Sequence, residues 1–303
     1  MKGILCLQVG TPDTPAKKDV ARYLKEFLTD PCIIEKPWLV RQILVRGVIV
    51  PLKKKGSSEN YGMIWQEGGS PLKVYTEKLV SGLRHHLGAD YAVTYGMGYQ
   101  NPAIEKQLHH LMQLPLKELV ILPLFPQYAK ATTGSVLSKT FDVLKKYREI
   151  PSIRVISSFE DHPLYIDALH STLSGYNFDD YDQIVISFHS LPLRVAANYK
   201  ERCMQTAKAL AEKANIQHYT VSFQSKLGRE PWIGPSTNEV LNRWKRVLVI
   251  CPSFVSDCVE TIHEIGIEEK EEFFEKGGER FDLVPCLNDH PNWIQALAAI
   301  ATG

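Results

Sequence analysis

One order of segments runs through this chain twice, and that repetition limits the fold more than any single motif does. GILCLQVGTP at 3–12 is similar to QIVISFHSLP at 183–192, and AVTYGMGYQNP at 92–102 to YTVSFQSKLGREP at 219–231. LVILPLFPQYAKATTGS at 119–135 answers VLVICPSFVSDCVETI at 247–262. ISSFEDHPLYIDAL at 156–169 answers VPCLNDHPNWIQAL at 284–297, with Asp161-His162-Pro163 repeated as Asp289-His290-Pro291. The apolar runs in these segments are too short for helices and are closed by turn formers, as strands buried on both faces of a parallel sheet are. Helical patterns separate the runs, so the sequence predicts an α/β protein built from two copies of a four-stranded unit. Two such units facing each other would leave a cleft between them, a favoured position for a ligand.

The copies differ in length near the start. Asp161 and Asp289 lie 128 residues apart and Pro12 and Pro192 lie 180 apart, so about 52 extra residues separate the first two strands of the first copy. The expected first domain is 1–162, with an insertion at about 31–72. The expected second domain is 163–303, its final helix over 291–303 packing back on the first. The insertion carries WLVRQILVRGVIV at 38–50, then Pro51, Lys53-Lys54-Lys55, turn-forming Gly56-Ser57-Ser58 and Gly68-Gly69-Ser70-Pro71. It reads as a helical excursion, and over 38–55 as an apolar lip whose basic fringe suits anionic lipid or carboxylates. As a helix, 38–50 reaches about 20 Å, short of a bilayer.

Composition excludes several classes. With 35 Lys+Arg against 34 Asp+Glu the net charge is +1, which gives no electrostatic case for nucleic acid. No window is long and apolar enough to span a membrane, and MKGILCLQVG holds too short an apolar run for a signal peptide. The six cysteines are scattered without a CxxC pair, which suits buried thiols in a reducing cytoplasm rather than a disulfide frame or zinc ribbon. Neither GxGxxG nor GxxxxGK[ST] occurs, nor GxSxG, so nucleotide binding and a serine nucleophile are unsupported.

Candidate chemistry gathers where strands end. His189 closes the first apolar run of the second copy, and Glu260 follows the third, in the first turn of a helix that Ser256-Asp257 are placed to cap. In a doubly wound unit those two strand ends adjoin one crevice. Glu260, Glu264 and Glu268 recur at i, i+4 and i+8 and therefore line one side of the helix, with His263 close to Glu260. The run from Glu268 to Glu272 also has the look of a solvated face. An imidazole and a carboxylate meeting at a crevice move protons or hold a metal. Phe125 and Tyr128, in the loop at 123–135, and Trp232, in the turn-rich loop at 224–235, are aromatic candidates for lining it.

Together these residues resemble a known family. SFHSLP at 187–192, FQSKLG at 223–228, PWIGPST at 231–237 and FVSDCVET at 254–261 resemble the signatures of ferrochelatase, as do VGTP at 9–12, GGSPL at 68–72 and FPQYAKATTGS at 125–135. The likeness runs in order over nearly the whole chain. It implies two pseudo-symmetric Rossmann-like domains of the chelatase type, each with a four-stranded parallel sheet. It also implies insertion of ferrous iron into protoporphyrin IX, the terminal step of haem synthesis. His189 and Glu260 resemble the catalytic pair, and His189, Glu260, Glu264 and Glu268 the metal-handling residues, on a helix that the family often draws toward a π form. Tyr99, Trp232, Phe254 and Asp257 resemble pocket residues. Iron would enter as a substrate, with no cofactor permanently bound.

Three positions depart from the family pattern. Gly98 stands where many relatives carry a base, and Cys258 replaces a histidine of some relatives. Lys130 occupies the place of a cluster-ligating cysteine in animal enzymes, so no iron–sulfur cluster is expected. The expected partners are protoporphyrin IX and ferrous iron, without nucleic acid, in the cytoplasm, with peripheral contact to the inner face of the membrane through 38–55. Two other readings share the same residues. Coproporphyrin III, with four carboxylates, would call for more basic pocket groups than Gly98 and an apolar lip offer, and a non-enzymatic porphyrin or haem carrier would need the pocket but not the acid–base pair. The preferred assignment has His189 accepting protons and Glu260, Glu264 and Glu268 forming the metal approach; the reverse is open.

Overall fold

Among the described residues, eight short strands pair in parallel, as their largely apolar runs suggest. β1 (Lys2–Gly10), β2 (Tyr91–Tyr99), β3 (Glu118–Pro123) and β4 (Ser152–Val155) form one sheet in the order β2-β1-β3-β4. β5 (Gln183–His189), β6 (Tyr219–Gln224), β7 (Arg246–Ile250) and β8 (Arg280–Leu283) form a second in the order β6-β5-β7-β8. The two orders are the same order, so the duplication read in the sequence is a duplication of topology. The computed structural model describes residues 1–303 apart from Leu227 and Arg229, with the backbone alone at Ala197. The chain divides into two compact units, Met1–Ser158 with Ala298–Gly303, and Phe159–Leu297.

Each unit has its own core. In the first, Leu5 and Leu7 of β1 pack with Leu108, Leu119, Ile121 and Val136. In the second, Val185, Val247 and Val249 pack with Ile265, Phe273 and Phe281. The second unit also buries an aromatic triad of Phe159, Tyr165 and Trp293, with ring centroids 5.3 to 5.8 Å apart. Such clusters fix where the strand ends point, because side chains in a close-packed interior have little room to yield.

The two copies also share a helical irregularity. After β3 the chain enters a π-helical turn at Lys130–Gly134, and after β7 a longer one at Val259–Glu269. Their first residues are 129 positions apart, so the widened turn occupies the same place in each copy.

The insertion departs from its sequence reading in one respect. Trp38–Ile43, a π-helical Leu44–Ile49 and Val50–Ile64 follow one another without a break, and the turn expected at Gly56-Ser57-Ser58 does not form. Packing overrides the local turn preference. Tyr61 and Ile64 are buried on the inner side, Tyr61 lies edge-on to Tyr23, and the Ser58 hydroxyl donates to the Pro15 carbonyl at 2.7 Å. The widened turn just before Pro51 gives the ring, which lacks an N–H, a place in the helix. Outward-facing Trp38, Leu39, Ile43 and Leu52 remain exposed.

Candidate functional site at the split between two strands

β5 and β7 pair from Gln183↔Val247 to Ile186↔Ile250, while β5 continues alongside β6 as far as His189↔Gln224. Beyond Ile186 the two central strands part, which is how an open α/β sheet makes a crevice at its carboxyl edge. His189 is the last residue of β5. Its Nδ1 lies 2.6 Å from the Ser190 carbonyl. A carbonyl only accepts, so Nδ1 carries the proton of the neutral ring and Nε2 keeps its lone pair. The ring lies 6.2 Å from that of Phe254. Burial pulls the His189 pKa below its usual value, while the Glu260 carboxylate and the Ser190 carbonyl act in the opposite direction.

The helix opposite is built differently from its expected start. Cys258, not Ser256 or Asp257, is the N-cap residue, and its N–H donates to Thr261 Oγ1 at 3.0 Å. Asp257 is buried instead, accepting from Thr261 Oγ1 at 2.9 Å and from Asn288 Nδ2 at 2.7 Å. Both its oxygens are engaged in framework contacts. Along the following π turns Glu260 and Glu264 are partly buried, whereas the side chain of Glu268 is 57% exposed. His263 faces inward, 3% exposed, with Nδ1 3.7 Å from Glu268 Oε2.

Glu264 is the most constrained of the three acids. Its Oε1 accepts from the Ser225 N–H at 2.6 Å and its Oε2 from the Ser225 hydroxyl at 2.5 Å. Burial pushes its pKa up to about 7, helped by the charges of Glu260 and Glu268 and opposed by the Ser225 donors. Ser225 itself has φ 65, a left-handed backbone that is uncommon for a residue with a Cβ. One turn on, Glu269 is also pushed up to about 7, chiefly by burial, and shares the Asn238 amide with Glu272, at 2.8 Å to each. Among the described residues, no three His, Cys, Asp or Glu side chains gather closely enough to cage a metal.

The structure brings His189, Phe254, Glu260 and Glu264 together in the second unit, with the Trp232 loop held nearby. Ile233 N–H donates to the Leu191 carbonyl and Leu193 N–H to the Pro231 carbonyl, each at 2.9 Å, so 231–233 is pinned to the segment that follows His189. The Trp232 indole N–H is buried without a partner among the described residues. Of the loop at 224–235, Leu227 and Arg229 lie outside the described residues.

The remaining candidates, Tyr99, Phe125 and Tyr128, belong to the first unit. Tyr99 is 2% exposed, its hydroxyl 2.9 Å from both Asp30 Oδ2 and Ser135 Oγ, with Lys139 Nζ 4.4 Å from the ring centroid. Phe125 belongs to the hydrophobic core, and Tyr128 is exposed. At Gly98 a Cβ would meet the Val9 carbonyl at 3.0 Å and Val136 at 3.1 Å, so a larger residue would require the neighbours to shift. Lys130 pairs with Glu35 at 2.6 Å.

Several residues around His189 and Glu264 had no signal in the sequence. Ser225 lies within the FQSKLG segment, but nothing in its spacing announces that it clamps an acid 39 residues away. Gln224 is buried and donates to the Glu260 carbonyl at 2.7 Å. Nothing in the spacing of Tyr199 and Ser253 announces that both touch the His189 backbone.

The family profile described as Ferrochelatase matches residues 1–303. The chain belongs to the ferrochelatase family. Curated relatives named ferrochelatase from Legionella pneumophila strains Lens and Paris are each 39% identical to it, over 99% of this chain and 98% of the relative. Among solved structures, SirB from Bacillus subtilis with Fe3+ is similar at 12% identity and TM-score 0.61, covering 99% of this chain and 94% of that one. Sirohydrochlorin chelatase SirB from Bacillus subtilis subspecies spizizenii, in complex with cobalt, is similar at 14% identity and TM-score 0.59, covering 76% of this chain and 87% of that one. Those distant likenesses carry the fold: the ferrochelatase chain shares the α/β architecture of the chelatases.

Proposed function

We propose that the protein is a ferrochelatase in activity as well as family, a lyase that inserts Fe2+ into protoporphyrin IX to form protohaem, with His189 and Glu260 as its acid–base pair. The observation that carries the residue assignment is the place of His189 at the end of β5, where β5 and β7 part, with Nδ1 held by the Ser190 carbonyl and the ring within reach of the Glu260 charge. Two pyrrole N–H protons leave as one Fe2+ enters, so the exchange balances in charge. His189, neutral because burial favours the uncharged ring, accepts the first proton at Nε2. The Glu260 carboxylate stabilises the resulting imidazolium and takes the second proton.

Iron must lose its water in stages, and oxygen ligands of graded exposure suit that task. Glu268 meets the ion first, Glu264 receives it next, and Glu260 delivers it. A carboxyl that titrates at about 7 exchanges its proton for a cation at little cost near neutral pH. Within the second unit, Phe254 and Trp232 supply apolar surface for the macrocycle, with Asp257 holding the framework beside them. Iron enters this reading as a substrate, with no iron–sulfur cluster, because the position carries Lys130, paired with Glu35 at 2.6 Å, in place of a thiolate.

The protoporphyrin reading is favoured over coproporphyrin by Gly98, where backbone crowding disfavours a long basic side chain. Peripheral membrane contact belongs to the same proposal: Trp38, Leu39, Ile43 and Leu52 are 60 to 76% exposed beside Arg46 and Lys53-Lys54-Lys55. No described helix is long and apolar enough to cross a bilayer. All six cysteines are free, which suits the cytoplasm. The test is anaerobic Fe2+ insertion by purified protein, followed by porphyrin fluorescence, with protoporphyrin and coproporphyrin in parallel. Faster turnover of protoporphyrin is expected. Preference for coproporphyrin would overturn the substrate assignment, and no insertion into either would leave a carrier.

A further inference from the structure

In a parallel sheet the N–H and C=O of one residue point toward the same neighbouring strand, and successive residues alternate. Ser190 N–H donates to the Gln224 carbonyl at 2.8 Å, on the β6 side. The peptide groups of His189 therefore face the β7 side, where the ladder has already ended at Ile186↔Ile250. Left alone there, each would cost about 1–3 kcal/mol as an unpaired buried polar group.

Two hydroxyls take the place of the missing strand. His189 N–H donates to Ser253 Oγ at 3.2 Å, and the Tyr199 hydroxyl donates to the His189 carbonyl at 2.9 Å. Tyr199 Oη and Ser253 Oγ are themselves 3.2 Å apart, which closes a ring of contacts across the split. The Ser253 segment is braced from behind by Tyr165, whose hydroxyl donates to the Pro252 carbonyl at 2.7 Å. Tyr199 is 6% exposed in the first turn of the helix Ala197–Ala214, and burial holds its phenol well above the usual pKa, so it stays a donor.

We propose that Tyr199, with Ser253, is a positioning residue for the His189 imidazole: it fixes the peptide plane between His189 and Ser190, and thereby the Ser190 carbonyl that holds Nδ1. The inference rests on the reading of His189 as proton acceptor. With the Tyr199 hydroxyl gone, the ring loses its reference to the framework and turns away from the productive direction, while the porphyrin-facing surface is untouched.

The test compares full-length Tyr199→Phe, Ser253→Ala, Ser253→Thr, the Phe/Ala double variant and His189→Ala. Fe2+ insertion kinetics, porphyrin affinity by fluorescence quenching and thermal midpoint are read for each. Tyr199→Phe should lower kcat about tenfold, the kinetic equivalent of one misdirected hydrogen bond, with the porphyrin KM and affinity changed less than about twofold. Ser253→Ala should lose less, Ser253→Thr should return toward wild type, and the double variant should be no worse than Tyr199→Phe because both belong to one ring of contacts. If Tyr199→Phe does not fold, the Ser253→Ala and Ser253→Thr pair carries the same kcat comparison. Wild-type kcat in Tyr199→Phe beside an inactive His189→Ala would overturn this inference alone, as would a loss that appears equally in porphyrin affinity and thermal midpoint. Full insertion by His189→Ala would remove the underlying reading of His189 and the inference with it.

Discussion

Glu264→Gln should make the protein more stable in alkaline than in acid buffer relative to wild type, because the wild-type carboxyl titrates at about 7 in the fold. Burial disfavours its charge, and a glutamate carboxyl in the unfolded chain titrates near its ordinary value of 4.5. The folded pKa lies above the unfolded one. The stability this group contributes is therefore full below pH 4.5 and is lost as pH rises through 7. At pH 5.5 linkage gives it a contribution of about 2 kcal/mol, and at pH 8 almost none. Glutamine does not titrate and retains an oxygen for the Ser225 N–H, so the variant's stability lacks that slope. The difference between variant and wild type should thus shift in the variant's favour by about 2 kcal/mol between the two pH values, or roughly 3 °C in thermal midpoint for a chain of this length. Calorimetry of both proteins with chelator present measures this directly, and Glu269, whose pKa the Glu264 charge also raises, moves the difference in the same direction. The same difference at pH 5.5 and pH 8 would refute the argument that burial suppresses the charge of Glu264.

Ser225→Gly relieves a left-handed serine but deletes a donor to charged Glu264, so the carbon-13 carboxyl titration midpoint of Glu264 should rise above its wild-type value. An unchanged or lower midpoint would contradict the clamp. Gly10 has φ +123, and an added Cβ would sit 2.1 Å from the Tyr99 carbonyl. Gly10→Ala should therefore cost about 3 kcal/mol or more in denaturant unfolding, and a wild-type midpoint would show the approach to be looser than described. Replacing exposed Trp38 and Ile43 with Ser should reduce sedimentation with anionic vesicles while insertion in detergent persists. Equal vesicle binding by variant and wild type would remove the lip from that role.

The strands were legible in the sequence because parallel strands buried on both faces admit few polar residues, and the repeated Asp-His-Pro fixed their correspondence. Gly56-Ser57-Ser58 misled for the opposite reason: on an exposed helical face, turn-forming residues are tolerated when Tyr61 and Ile64 anchor the same helix inside. Ser256-Asp257 looked like a cap, yet Asp257 is drawn inward by Asn288 and Thr261, partners that sequence distance hides. His189 and Glu260 could be found because topology alone puts the ends of β5 and β7 together. Tyr199, Ser253 and Ser225 could not, since their contacts depend on where two strands part and on one left-handed residue.

Insertion by His189→Ala and Glu260→Gln, measured beside porphyrin affinity on the same preparations, tests the central claim most directly. Both variants should bind protoporphyrin as tightly as wild type and lose Fe2+ insertion by at least about a hundredfold, as expected for removal of a general base. Either variant inserting iron at the wild-type rate, with porphyrin bound, would show that the reaction's protons leave by another route.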